Sequence, residues 1–320
     1  RGVSVTFATK IYKTYGKQSL DILNDNPYRM VDDIWGVGFK TADKIAQQLG
    51  IDKNSLARVR AGIGYTISST VEQGHLYVAL DALKTRTIEL LELDVANIEA
   101  TIKQALHDLY NNGKIKLIST DEGHFVTMSQ YYYSEKGIAN KVMRLLTNKL
   151  PTQFDVDKLY ASLRVTKDGH IALNENQQRG IMASIANRIT IITGGPGTGK
   201  TTLIKKLISI LDESNVTYKL AAPTGRAAKR MQEGTGRFAM TLHRLLELDP
   251  TTMQFVHNEQ NALKADFIVI DEASMIDVFL AHALFKAIPH NAHVLFIGDI
   301  DQLPSVGAGN FLRDLIASTK

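Results

Sequence analysis

The spacing of hydrophobic positions changes along the chain. From about residue 165 onward, four short β-rich runs (ITIIT, YKLAA, FIVID and HVLFIGD) are each followed by a glycine- or proline-type loop and then by apolar positions at helical spacing. This alternation predicts an α/β domain, a parallel sheet with helices on both faces, over 165–320. Residues 58–135 read differently. IEATIKQALHDLYNNGKIKLIS has helical periodicity, then Asn-Gly, then the alternating strand Ile115–Ile118, and DEGHFVTM reads as a turn with a returning strand. A helix followed by a two-stranded wing, a winged-helix-like module, is expected there. Tyr131–Tyr133 closes the second strand and reads as packing, with base stacking as the alternative. SEKGIANKVMRLLTNKL continues as a connecting helix stopped by Pro151, so 136–164 is the expected linker.

The opening segment repeats itself. GVSVTFATKI (Gly2–Ile11) and GVGFKTADKI (Gly36–Ile45) agree at Gly, Val, Ala, Lys and Ile. Each reads as a glycine-bearing tight turn followed by an amphipathic helix whose first N–H groups are free. Such a turn can hold one phosphate without reading base sequence. Gly36, Gly38, Lys40, Thr41 and Lys44 are the candidate DNA-backbone residues of the second copy. The pattern resembles tandem helix-hairpin-helix motifs, expected over 1–57. The first copy departs from it, with Ser4 at the third position and no leading helix. A helical packing module that touches no DNA is the alternative.

Composition narrows the class. At 320 residues the chain is long enough for two or three domains, and 44% hydrophobic with 22% charged residues is globular. Zero cysteines excludes disulfides, a Cys-ligated zinc, an iron–sulfur cluster and a thiol nucleophile. No apolar run approaches the ~18 residues of a membrane span. RGVSVTFATK lacks a signal-peptide core, and the absence of an initial Met suggests that something upstream was removed. These features fit a cytoplasmic, nucleoid-associated protein. Residues 1–60 carry ten Lys/Arg against six Asp, an excess equal to the +4 of the whole chain. A locally basic module points to a polyanion partner, a solvated surface being the plainer reading.

The chemistry-bearing residues lie in the second half. ITIIT runs into GGPGTGKTT, which is G-x-x-x-x-G-K-[S/T] with Gly194, Gly199, Lys200 and Thr201 in the fixed positions. Gly195, Pro196, Gly197, Thr198 and Gly199 form the candidate phosphate loop, whose glycines let backbone N–H groups wrap phosphate oxygens, and the following helix, opening with Lys200, Thr201 and Thr202, adds its positive end. Lys200 would reach the β/γ-phosphates of ATP, and Thr201 would ligate Mg²⁺. FIVIDEAS then places Asp271 and Glu272 at the end of a buried strand, where a parallel sheet forms its ligand crevice. Asp271 would hold the magnesium shell and Glu272 would orient or deprotonate the attacking water.

With LNENQQRGI, AAPTGRAAKRM, TLHRLL and GDIDQLPSVGAG added, the chain resembles the superfamily-one DNA helicases through their third motif, and its wording is closest to the RecD-like branch. NPYRM and IWGVGFKTADKIA resemble the N-terminal region of the stand-alone RecD-like enzymes. The resemblance implies a RecA-like P-loop NTPase fold, an ATP-dependent helicase of 5′→3′ polarity, and single-stranded DNA and duplex/single-strand junctions as partners. It further implies that Gln177 contacts adenine and that Gln302 senses the γ-phosphate. It places the Pro223, Thr224, Gly225 and Arg226 loop, with Thr241, His243 and Arg244, on the single strand. His243 is equally readable as a structural histidine. The pattern stops after the third motif, so the second RecA-like domain and its arginine are absent, and weak nucleotide binding with poor turnover is expected. A conjugative relaxase-type helicase domain, or a DNA-binding or docking module without catalysis of its own, are the alternatives.

Overall fold

A computed structural model describes residues 5–147, 154, 159, 163, 173–195, 197–302, 305 and 307–318. The chain divides into two compact units, Arg1–Tyr132 and Tyr133–Lys320. The leading turn of the first repeat (Gly2–Ser4) and Pro151 lie outside the described residues.

In the first unit, α1 (Val5–Tyr15), α2 (Ser19–Asp25), α3 (Arg29–Asp33) and α4 (Phe39–Gln48) precede the longer α5 (Leu56–Glu72). The α3–α4 pair encloses the Ile34–Gly38 hairpin, in which the Val37 N–H donates to Ile34 O at 3.1 Å. Helix α4 is amphipathic in the expected sense. Phe39, Ala42, Ile45 and Ala46 are buried, while Lys40 and Lys44, one turn apart, are exposed. Next come β1 (Val78–Ala79), α6 (Leu80–Leu91), α7 (Val95–Asn111), β2 (Ile115–Thr120) and β3 (Gly123–Met128). The wing has three antiparallel strands rather than two, in the order β1-β3-β2, with Val126 opposite both Val78 and Leu117. A two-residue strand is too short to show alternation in sequence. The three tyrosines are also corrected: they open α8 (Ser129–Thr147) instead of closing a strand. The ladder ends at the Ile115–Met128 pair, and the helical period that follows draws them into its first turns.

One buried ion pair fastens this unit. The Arg58 guanidinium, almost fully buried on α5, donates to both carboxylate oxygens of Asp43 on α4 (2.8 and 3.0 Å) and to Leu91 O and Lys53 O (2.9 and 3.0 Å). Tyr28 Oη adds a bond to Asp43 Oδ1 at 2.7 Å. Arg58 is therefore not one of the surface cations that the charge arithmetic counted. Burial alone would raise the Asp43 carboxyl, but the hydrogen bonds from Arg58 and Tyr28 outweigh it and hold the group below its ordinary range. A depressed carboxyl contributes stability above its unfolded pKa near 4 and loses it as the pH falls further. Arg58→Ala should cost about 3 kcal/mol at neutral pH, because Asp43 is left unpaired. Urea melts should show the gap between variant and parent narrowing below about pH 4; a pH-independent gap would reject the ion pair as its cause.

In the second unit, α9 (Glu175–Ala186), β4 (Ile189–Thr193), α10 (Lys200–Glu213), β5 (Tyr218–Ala222), α11 (Gly225–Thr235), β6 (Met240–Thr241) and α12 (Leu242–Leu245) are followed by a small hairpin, β7 (Leu248–Asp249) and β8 (Gln254–Phe255). Then come β9 (Phe267–Ile270), α13 (Val278–Ala287), β10 (His293–Gly298) and α14 (Phe311–Ala317). The sheet is parallel throughout, in the order β4-β10-β9-β5-β6. Alternation divides its two faces. Leu295 and Ile297 of β10 and Phe267 and Val269 of β9 join a core with Ile181 of α9, Leu207 of α10 and Met231 of α11. Phe296, pointing the other way, forms an aromatic triad with Phe285 of α13 and Phe311 of α14, with centroids 5.4 to 5.8 Å apart. Both faces are thus covered, as the continuous apolar runs require. Among the described residues no helix is long and apolar enough to cross a membrane.

Candidate functional site

Parallel strands deliver their C-terminal ends to one edge. Thr193 pairs with Gly298, Phe296 with Ile270, Ile270 with Ala221, and Ala222 with Thr241. The loops beginning at Gly194, Asp299, Asp271 and Pro223, and the stretch after Thr241, therefore leave the sheet side by side, about 4.8 Å per strand apart. Every nucleotide-site residue named from sequence lies on or beside this edge, except Pro196, which lies outside the described residues.

The phosphate loop is shaped by its glycines. Gly197 and Gly199 have φ of +78° and +81°, values that side chains disfavour. A Cβ on Gly199 would also collide with the Gln177 amide. Helix α10 starts here without a side-chain cap, whereas α9, α11, α12 and α13 are capped by Asn174, Thr224, Thr241 and Asp277. Its first N–H groups, including those of Lys200, Thr201 and Thr202, have no partner within the helix, the arrangement that suits an anion. Thr201 is exposed at this end, Thr202 and Lys200 are half-buried, and the Lys200 ammonium donates to Gly194 O at 2.6 Å.

Gln177 does more than its sequence reading assigns. It completes a capping box with Asn174, and its Nε2 donates to Thr198 O and Gly199 O at 3.3 and 3.4 Å. Both amide hydrogens thus brace the phosphate loop, leaving only a lone pair on Oε1 for an adenine amino group.

The acidic pair sits just past β9. Glu272 has φ of +54°, so its side chain leaves the pleat and the alternation rule no longer separates it from Asp271. The Glu272 N–H donates to Asp271 Oδ1 at 2.9 Å. Burial raises the Asp271 carboxyl above its ordinary range; the Glu272 N–H opposes the rise, the Glu272 charge adds to it, and the Lys200 and Arg230 charges lower it. Arg230 of α11 also lies 3.6 Å from Glu272 Oε1. Sequence reasoning missed Arg230, although it stands within AAPTGRAAKRM one helical turn after Arg226, a spacing that a pass for basic side chains could have flagged.

A second omission is Asp299. Buried at the end of β10, it accepts the Gln302 Nε2 at 3.1 Å, and its Oδ2 lies 3.8 Å from the position a Cβ on Gly195 would take. The Asp299 carboxylate thus holds Gln302 and stands beside the phosphate loop. Leu303, Pro304 and Val306 of the same motif lie outside the described residues. On the neighbouring loops, Thr224 and Thr241 each accept a helix N–H, from Ala227 and Arg244 at 3.2 Å. His243 is exposed 5.9 Å from the Phe255 ring, and Arg244 lies over Phe238 at 5.6 Å. The structure thus places Pro223–Arg226 at the β5–α11 junction and Thr241 and His243 at the adjoining β6–α12 junction. In the first unit, Gly36 turns the hairpin with φ of +83°, and Gly38 starts α4 without a side-chain cap.

Comparison with known proteins gives these features a context. The profile of the "ATP-dependent RecD2 DNA helicase HHH domain" matches residues 1–77, and that of an "AAA domain" matches residues 177–308. The chain is similar to the N-terminal portion of the RecD-like DNA helicases. It is 29% identical over 315 residues to the ATP-dependent RecD2 DNA helicase of Deinococcus radiodurans, covering 96% of this chain and 43% of that one. The RecBCD enzyme subunit RecD of Mycolicibacterium smegmatis is 33% identical over 222 residues, 61% of this chain and 38% of that one. The corresponding subunit of Buchnera aphidicola subsp. Schizaphis graminum is 26% identical over 292 residues, 82% of this chain and 47% of that one. This RecD-like chain therefore spans less than half the length of these relatives. Its fold is the expected RecA-like P-loop architecture with a helix-hairpin-helix module ahead of it.

Proposed function

We propose that this chain is the DNA-engaging and nucleotide-binding front portion of an ATP-dependent DNA helicase, with 5′→3′ polarity resting on family resemblance. The observation that carries the reading is the sheet edge. An uncapped helix N-terminus with Lys200, the Asp271–Glu272 pair and the two loops assigned to the single strand all leave it together.

The donor set fits Mg-ATP. Thr201 and Asp271 offer hard oxygen ligands, and no cluster of three or more metal-binding side chains occurs among the described residues. That pairing suits Mg²⁺, which keeps water and substrate phosphates in its shell instead of an all-protein cage. When bound, the ion would neutralise charge on the β- and γ-phosphates. The protein's own part is to hold the phosphates with loop N–H groups and Lys200, to present Asp271 at the strand end, and to aim Glu272 at a water. Gln302, held on Asp299, would report the γ-phosphate to the DNA loops. Residues 1–57 would bind the DNA backbone, with the 58–135 segment as a supporting module and 165–320 as the motor domain. Single-stranded DNA and its junctions with duplex are the proposed partners, in a cytoplasmic, nucleoid-associated setting.

Two measurements test this reading. Binding of a non-hydrolysable Mg-ATP analogue and of a single-stranded oligonucleotide should be reciprocally coupled in this chain. Nucleotide-independent DNA affinity would favour the docking-module alternative. Lys40→Glu combined with Lys44→Glu should weaken DNA binding for all sequences alike and flatten its salt dependence by up to about two phosphate contacts. A strong preference for one base sequence would contradict the hairpin assignment.

A further inference from the structure

The α3–α4 hairpin carries a feature that phosphate binding does not use. Trp35, the sole tryptophan of the chain, is 93% exposed at its tip, immediately before the turn at Gly36. Its neighbours Ile34 and Val37 are buried, so the tip is anchored from both sides while the indole stands in solvent. The indole is also held from α1. The Lys10 ammonium donates to Trp35 O at 3.4 Å and lies 6.0 Å from the indole centroid and 5.9 Å from the Phe7 ring. A fixed, solvent-facing aromatic plane beside a cation is what stacks on a nucleobase, because every base offers a π-face.

The charges around the tip select the partner. Lys10 of α1 and Lys40 and Lys44 of α4 are the cations beside the hairpin that no ion pair with α3 engages, whereas Arg29 of α3 is paired with Asp33. The nearby acids are engaged: Asp32 with Lys114 at 3.5 Å, and Asp33 with Arg29 at 3.6 Å and Tyr15 Oη at 2.9 Å. An exposed indole also suits protein docking, but a surface whose acids are paired and whose lysines project favours a polyanion.

We propose that Trp35 is a base-stacking platform. It would receive an unpaired base of single-stranded or frayed DNA while the segment from Gly36 to Lys40 holds the adjoining phosphate. The proposal rests on reading residues 1–57 as a DNA-binding module and adds what that module selects: an unstacked base, hence a strand end or junction over continuous duplex.

Because Trp35 is the only tryptophan, its emission reports its own contact. The 320-residue chain is titrated, without nucleotide, with an oligothymidylate, an abasic oligonucleotide of equal length, a blunt duplex, and the same duplex with a single-stranded tail. Anisotropy of the labelled DNA follows binding in each case. Quenching of tryptophan emission is expected with the oligothymidylate and the tailed duplex, and not with the abasic strand or blunt duplex at matching saturation. Trp35→Ala should lose about tenfold in affinity for the tailed duplex while keeping its affinity for the abasic strand, and Trp35→Phe should recover most of the loss. Full exposure means that neither change burdens folding, which a thermal melt will check. Saturation by the oligothymidylate with unchanged emission, equal quenching by the abasic strand, or unchanged tailed-duplex affinity in Trp35→Ala would overturn the platform and leave phosphate binding standing. Failure of every DNA to bind would overturn both, and would leave the indole as a protein-docking residue.

Discussion

Lys200→Ala should abolish calorimetrically detectable Mg-ATP binding and leave the fold intact. The structure explains why both halves of that result belong together. Lys200 is half-buried at the start of α10, and its ammonium donates to Gly194 O at 2.6 Å, a bond to the loop and not to the packed core. Its loss removes the one side-chain cation on the phosphate loop and leaves the triphosphate to backbone N–H groups alone. Removing a charge-assisted donor aimed at an anion in a partly desolvated site weakens the interaction by roughly 10²–10³. The loss extends to magnesium. Lys200 is one of the charges that oppose the upward shift of the buried Asp271 carboxyl, so the variant makes Asp271 a poorer anionic ligand as well. Unchanged affinity would reject the site assignment.

The acidic pair should give separable defects wherever single-strand-stimulated hydrolysis is measured. Asp271→Asn should weaken magnesium-dependent nucleotide binding, since it removes the buried carboxylate while preserving the oxygen that accepts the Glu272 N–H. Glu272→Gln should keep nucleotide bound and cut hydrolysis by a factor on the order of 10²–10⁴, the value of a positioned base. The structure adds a condition to that role. With Arg230 3.6 Å from Oε1, Glu272 shares its charge with a surface guanidinium, and it can serve a water fully only when that contact loosens. Equal loss of binding in both variants would show that the two carboxylates do one job.

Much of the second unit was legible because its signals are local. Each of the four longer strands of the parallel sheet is a short β-rich run, and each candidate loop begins where a run ends, so sequence order alone placed Lys200, Asp271 and Gln302 at one edge. Lateral order was not legible: nothing in the runs says that β10 lies between β4 and β9, because strand neighbours are chosen by helix packing across the whole unit. The omissions have the same origin. Arg230 and Asp299 matter through side chains that meet residues some 40 and 100 positions away in sequence, which no periodicity encodes. In the first unit the hairpin glycines were readable as turn chemistry. The pairing of Arg58 with Asp43 was not, because a charged residue in a helical pattern is ordinarily solvated and burial is decided by tertiary packing. The tyrosines went astray because three aromatics in a row suit a strand by propensity, yet the ladder had already run out of partners at Met128.

The left-handed backbone at Glu272 has a consequence for how this protein balances durability against turnover. A non-glycine residue in that region is strained by about 1–3 kcal/mol, and here the strain coincides with a second unfavourable feature, two carboxylates side by side with Asp271 half-buried. Glycine at this position would relax the backbone and remove the like charge, so the fold would gain from losing the very side chain assigned to the chemistry. Stability is given up at a single residue, where β9 ends, while the paired strands and the aromatic triad behind it supply the rigidity that lets the loop hold an unfavourable conformation. Attempts to harden this chain should therefore act on the core-facing layers and leave the Asp271–Glu272 turn under tension.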